Sequence, residues 1–194
     1  MRLGVLSEKY EGGGPATIST GEGDSGGVSY GQYQFATNTG TVDNFVAWLL
    51  EQGGVKAGYG AMLEKYPAGS LEFSNQWLWI ANNAEDFGEW QDEFVKPRYY
   101  DAAYEYAKEY GLSVELPFAL QAVLFSNAIQ HGAYWAGRLI AESYDADPVK
   151  WITTIYDTKL TDMSWSSGAP SLREGLFNRW ENEKQDAIAL LDKV

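Results

Sequence analysis

Hydrophobic and polar positions follow two different rules on either side of residue 40. Beyond it, apolar residues recur at helical spacing, three or four apart. Thr41 can cap a helix running through Leu50, and Ser70 another through Ala81. The spacing predicts a helix over 99–110, stopped by Gly111. Leu116, Leu120, Val123 and Leu124 mark the apolar face of a helix expected at the centre of the fold. A break at His131-Gly132 separates it from a helix over 134–144. Asp147-Pro148 reads as cap plus first-turn proline of a helix through Lys159. Ser171 and Glu174 form a capping box ahead of a stripe at Leu172, Leu176, Trp180, Ala187 and Leu191.

Before residue 40 the pattern is different. A short helix is expected over 3–10, ending at a glycine-rich stretch over 11–40 that favours turns and short strands. Val28-Ser29-Tyr30 and Tyr33-Gln34-Phe35 suit the two strands of a small hairpin. The expected class is α+β, mostly α, in one domain over 1–194, with no repeat or linker.

Composition narrows the function. With 14 Lys plus Arg against 27 Asp plus Glu, the net charge is −13. Such a surface repels phosphate backbones and anionic lipids, so neither nucleic acid nor membrane is an expected partner. It suits a cationic polymer, or solubility alone. No window is long and apolar enough to span a bilayer. Ser7-Glu8-Lys9 ends the opening apolar run too early for a signal peptide. There is no cysteine and one histidine, His131. A thiol site and a Cys/His metal site are therefore both missing from the sequence, and no cofactor or metal is implied.

Carboxylates remain. Glu8 stands at the end of the first predicted helix, and Glu22 and Asp24 lie in the glycine-rich stretch. Glycoside hydrolysis needs one protonated carboxyl to donate to the leaving oxygen, and one ionised to activate water or attack. A helix-end Glu among apolar neighbours and a loop Asp bonded by glycine amides would suit the two roles. By residue type alone, carboxylates in an acidic chain are more often solvated surface charges than catalysts.

Longer motifs surround this pair. Ser7-Glu8-Lys9-Tyr10-Glu11-Gly12 is followed by Gly23-Asp24-Ser25-Gly26-Gly27-Val28-Ser29-Tyr30-Gly31-Gln32-Tyr33-Gln34-Phe35, with Asp24 sixteen residues after Glu8. This resembles the catalytic segment of the lysozyme superfamily, and within it the chitosanase-like muramidases of phage lysins and type VI secretion spike effectors. Ser126-Asn127-Ala128-Ile129-Gln130-His131-Gly132 and Gly175-Leu176-Phe177-Asn178-Arg179-Trp180-Glu181-Asn182-Glu183 resemble later segments of lysozyme-like domains. The resemblance implies a lysozyme-like domain whose small hairpin flanks the catalytic cleft. It makes Glu8 the general acid and Asp24 the base, with Glu22 the alternative carboxylate. Ser29, where relatives carry Thr, would help hold the attacking water, giving inversion. Tyr30, Gln32 and Gln34, pointing one way along a strand, would face sugar. The implied substrate is peptidoglycan or a related amino-sugar polymer, reached by release from a phage host's cytoplasm or by delivery through a secretion system.

Other readings stay open. A chitosanase would use the same carboxylates on a cationic polymer. A catalytically dead sugar-binding or phage structural module would need neither. A lytic transglycosylase would use Glu8 alone. His131 reads as a capping or core group, and Arg179 with Glu183 as a helix-stabilising pair. Among 8 Trp, 13 Tyr and 8 Phe, most of them expected in the core, Trp165 in its polar loop is the best candidate for an exposed ring.

Overall fold

A computed structural model describes residues 2–10, 13–20, 27–166 and 173–193. Ten helices carry most of these residues, with one small sheet. The chain divides into two compact units: residues 1–10 with 95–194, and residues 11–94.

The 11–94 unit holds the sheet, with order β1-β2-β3. Strands β1 (Ile18–Ser19), β2 (Ser29–Tyr30) and β3 (Phe35–Ala36) pair antiparallel, with Tyr30 opposite both Ile18 and Phe35. The expected hairpin is present, but residues 31–34 form its turn rather than strand. Gly31 sits in this turn at φ +75°, where a side chain would be strained. An added Cβ would also meet the Gln91 amide oxygen at 2.3 Å. Helices α2 (Thr41–Glu51), α3 (Gly54–Leu63), α4 (Leu71–Asn83) and α5 (Phe87–Lys96) complete the unit, the division falling within α5. Gly40, in the left-handed region, caps α2, so Thr41 is its first residue rather than its cap. Ser70 caps α4 as expected, its hydroxyl accepting the Phe73 amide at 3.1 Å. The core is aromatic. Phe35 stacks on Phe45 at 5.0 Å, Trp77 meets Phe87 edge-on at 4.9 Å, and Tyr30 meets Phe73 edge-on at 5.0 Å. Rings of this size supply most of the area such a short-stranded unit can bury.

In the other unit, α1 (Val5–Tyr10) and the helices α6 (Ala102–Glu109), α7 (Phe118–His131), α8 (Ala133–Glu142), α9 (Pro148–Thr161) and α10 (Arg173–Leu190) pack together. A π-helical turn over Pro97–Asp101 leads into α6. Helix α7 is the central element, buried from Leu120 to Ala128 apart from Gln121 beside it and packed by α1, α6, α8, α9 and α10. It ends at Gly132, φ +87°, the predicted break. Asp147 caps α9 through the Val149 amide at 2.9 Å, with Pro148 in the first turn. The predicted capping serine, Ser171, lies outside the described residues. Among the described residues no helix is long and apolar enough to cross a membrane.

Candidate active site

Glu8 occupies the last turn of α1, its amide bonded to the Gly4 carbonyl at 2.9 Å. The helix has only six residues, too short to be stable alone, so packing must hold it. Leu6 and Ser7 are buried on the side facing α7 and α10. At the other end, Lys9 Nζ reaches Asp186 Oδ2 of α10 at 2.5 Å, and the Tyr10 hydroxyl donates to the same oxygen. Burial first, and then this hydrogen bond, push the Tyr10 phenol well above its ordinary range. Burial works against the Asp186 carboxylate, yet the bonds from Lys9 and Tyr10 win and hold it below the usual range. The Glu8 side chain, about 36% exposed, therefore projects from a helix bolted down on both sides. One of its oxygens receives Arg2 Nη1 at 2.9 Å.

Asp24 and Glu22 lie outside the described residues. The hairpin residues expected to face sugar are placed differently from one another. Ser29 is buried in β2, opposite Ser19 and Ala36. Tyr30 is fully buried, its hydroxyl paired with Ser74 Oγ at 2.8 Å and accepting the Gly69 amide at 3.2 Å. Gln32 is buried as well. Its amide group donates to the Gly88 carbonyl at 3.0 Å and to Asp92 Oδ1. Gln34 alone is exposed, at φ +53°, donating back to the Gly31 carbonyl at 3.0 Å. The expected common orientation of Tyr30, Gln32 and Gln34 does not hold, because two-residue alternation ends where the turn begins. Tyr30 and Gln32 instead tie the hairpin to α4 and α5.

Beneath Glu8's helix lies a polar cluster that the sequence reading passed over. Lys159 of α9 is fully buried. Its ammonium donates to Asn127 Oδ1 at 2.7 Å and Gln130 Oε1 at 3.1 Å, and lies 4.6 Å from the centre of the Trp180 ring. Trp180 Nε1 donates to the same Gln130 oxygen at 2.9 Å. Glu183 of α10, expected with Arg179 as a helix-stabilising pair, does stand against Arg179 one turn away, but it is buried, only 1% exposed. It accepts from Ser126 Oγ of α7, and Arg179 Nε stands 3.8 Å from its other oxygen. Burial, then Glu183, drives the neighbouring Tyr156 phenol far above its ordinary range. The Arg179 guanidinium also lies 5.9 Å from the Tyr10 ring. Lys159 lies on the apolar face of α9, in line with Trp151 and Ile155. Glu183 similarly falls on the α10 stripe between Trp180 and Ala187. Buried charges of this kind persist only when paired and hydrogen-bonded.

His131, at the α7 end, packs edge-on against Trp165 at 4.9 Å, and burial followed by the charges of Lys159 and Arg179 holds its pKa at about 3. The imidazole is thus neutral. Trp165, expected as an exposed ring, is half-buried. Among the described residues no group of three or more His, Cys, Asp or Glu gathers as a metal site.

This architecture is that of the lysozyme-like α+β proteins, mostly helical with a small sheet. The native chitosanase of Bacillus subtilis MY002 superposes with a TM-score of 0.57 at 20% identity, over 97% of this chain and 88% of that one. A mutant of that chitosanase, complexed with 6 GlcN, gives a TM-score of 0.53 at 18% identity, over 99% and 88%. At such identities the likeness concerns the fold alone. Residues 3–184 match the family of type VI secretion system spike proteins, VgrG3-like, C-terminal, and the chain belongs to that family. The type VI secretion system spike protein VgrG3 of Vibrio cholerae serotype O1 (strain ATCC 39315 / El Tor Inaba N16961) is 36% identical over 134 residues, 67% of this chain. The chain spans 12% of that protein's length.

Proposed function

We propose that this chain is a glycoside hydrolase acting on amino-sugar polymers, peptidoglycan first among them, with residues 1–194 as its catalytic domain. The observation that carries the reading is Glu8: a partly open carboxylate on a six-residue helix fixed by buried Leu6 and Ser7 and by Asp186. Membership of the spike family supports delivery by a secretion system, in preference to release from a phage host. Glu8 protonates the leaving glycosidic oxygen. Asp24 takes the proton of a water attacking the anomeric carbon from the opposite face, and Glu22 stands in for it if Asp24 points elsewhere. Ser29, five residues past Asp24, is the hydroxyl proposed to help hold that water. A water between the carboxyls gives inversion and requires a separation of roughly 6.5–9.5 Å.

The second reading, chitosanase, is favoured by the solved structures of like fold, one of them holding GlcN units. Purified peptidoglycan and chitosan are incubated separately with the protein, and the products identified by mass spectrometry. Glu8→Gln and Asp24→Asn are each expected to lower the rate by about 10²–10⁴-fold, the range for a general acid or base. Unchanged rates in both variants refute the assignment. Digestion of chitosan alone moves the substrate to the second reading. A mild Asp24→Asn with a 1,6-anhydro product replaces hydrolysis by transglycosylation through Glu8.

A further inference from the structure

On the unit that carries Glu8, the end of α7, helices α8 and α9 and the short turn after α9 line an open-sided cavity of about 490 Å³. Its lining includes His131, Trp135, Arg138, Glu142, Asp162 and Trp165, none of them on α1 or α10. The volume lies inside the range of about 300–1,000 Å³ common for small-molecule sites. Trp135 is 49% exposed and presents much of its ring to the cavity. Its ring is nonetheless fixed. Tyr134 meets it edge-on at 5.1 Å and Trp165 at 6.3 Å, and the Arg138 guanidinium stacks 5.7 Å from its centre. Arg138 is locked in turn by Glu142 at 2.8 Å. The aromatic surface continues past the cavity. Tyr134 and Tyr110, each 40% exposed, share a hydroxyl–hydroxyl bond of 2.6 Å, and Arg138 lies 5.8 Å from the Tyr110 ring.

The mixture of groups selects the ligand. Rings that stay exposed side by side and are held in place by their neighbours suit a binding surface. A purely apolar ligand would strand Arg138, Glu142 and Asp162 without water. An anion would meet the carboxylates of Glu142 and Asp162, the latter held ionised by the Ser164 amide at 2.9 Å. A sugar ring satisfies both halves. Its C–H face and any flat acetamido group pack on indole or phenol, and its hydroxyls find the guanidinium and the carboxylates.

We propose that this cavity and the adjoining tyrosines form a second saccharide-binding site, which grips an amino-sugar chain outside the catalytic residues. The choice of glycan rests on the glycosidase reading above. Trp135 is the anchoring ring, and Arg138, Glu142 and Asp162 set the orientation.

The test uses the whole chain carrying Glu8→Gln, so that ligand is not consumed. Two probes are titrated separately, the tetrasaccharide of N-acetylglucosamine and that of glucosamine. The Trp135 indole N–H signal is followed by NMR and assigned by its loss in Trp135→Phe. Saturable movement of that signal with either probe is expected, and the probe that moves it names the polymer. In parallel, sedimentation with insoluble peptidoglycan and chitosan measures the apparent affinity for the polymer. Trp135→Ala is expected to weaken it about tenfold, the loss typical of an anchoring aromatic. Trp135→Phe, which keeps a ring, should retain most of it. Leu71→Ala, at an exposed apolar position in the other unit, should change nothing. A Trp135 signal that stays still with both tetrasaccharides overturns the site, as does an affinity within twofold of the parent in Trp135→Ala. Failure here and failure of the catalytic reading are separable. A wild-type protein that cuts glycan while Trp135 stays still loses only this site. A protein that cuts nothing, yet shows Trp135-dependent binding, keeps the site and loses the enzyme.

Discussion

Burial and two cations oppose a proton on His131, and the consequence is a pH dependence with a definite sign. The unfolded chain takes up that proton near 6.5, the folded one only near 3. Between these values the unfolded state binds more protons, so stability rises with pH. The contribution is complete above about 6.5 and drains away as pH falls towards 3, on the order of a few kcal/mol across the window. Urea unfolding at pH 7 and pH 4 should therefore show a larger loss for wild type than for His131→Gln. Equal losses would show that the imidazole is not shielded as described. The same cluster marks the limit of what residue types reveal. His131 as a core group was legible from its position at a helix break. Lys159 and Glu183 were not, although each lies on an apolar stripe. A charge on a stripe reads as an edge residue until its partners on other helices are known. Here those partners are Asn127 and Gln130 for the lysine and Ser126 for the glutamate, residues distant in the chain.

At the scale of the element, α1 is the part on which the proposed chemistry depends, and its attachment can be divided. The Lys9–Asp186 pair is more than half exposed on the lysine side and should contribute little. The Tyr10–Asp186 bond joins a part-buried phenol to a charged acceptor and should contribute more. Tyr10→Phe is thus expected to cost about 1–2 kcal/mol, against under about 1 kcal/mol for Lys9→Ala, both read from urea melts. The reverse order would mean that the ion pair is the anchor. A second contact of this kind joins α6 and α8. A Cβ at Gly137 would come within 2.3 Å of the Ala103 carbonyl oxygen and 2.9 Å of the Ala107 amide. Backbone cannot retreat as a side-chain tip can, so Gly137→Ala should destabilise by about 1–3 kcal/mol or more. A neutral result would show that the two helices can part cheaply. Helices with caps and clean stripes were readable in advance: α4 from Ser70, α9 from Asp147-Pro148, α7 from its leucines. Helix α3 was not, because Gly54, Gly58 and Gly60 argue against a helix on propensity. Packing decides otherwise, with Gly60 seated where a Cβ would come within 3.1 Å of Leu49 and Leu50. Strand β1 has two residues, too few to show any period.

For the whole molecule the governing quantity is the net charge of −13, and it bears on which polymer the proposed hydrolase would cut. An acidic protein draws a polycation such as chitosan to its entire surface, whether or not a site recognises the sugar. That attraction is screened, because the Debye length falls from about 10 Å at 0.1 M salt to about 3 Å at 1 M. Recognition through hydrogen bonds and ring stacking is short-ranged and survives. Binding of the Glu8→Gln protein to chitosan should then drop at least about tenfold between 0.05 and 0.5 M salt, in the manner of charge-steered association. Binding of the neutral N-acetylglucosamine tetrasaccharide should stay within about twofold over the same range, since no counterion atmosphere is displaced. Hydrolysis by the wild-type protein divides the same way. If peptidoglycan is the substrate, its cleavage persists in high salt while any activity on chitosan fades. Chitosan cleavage that holds in high salt would mean that the sugar itself is recognised, and would make the second reading of the function the right one.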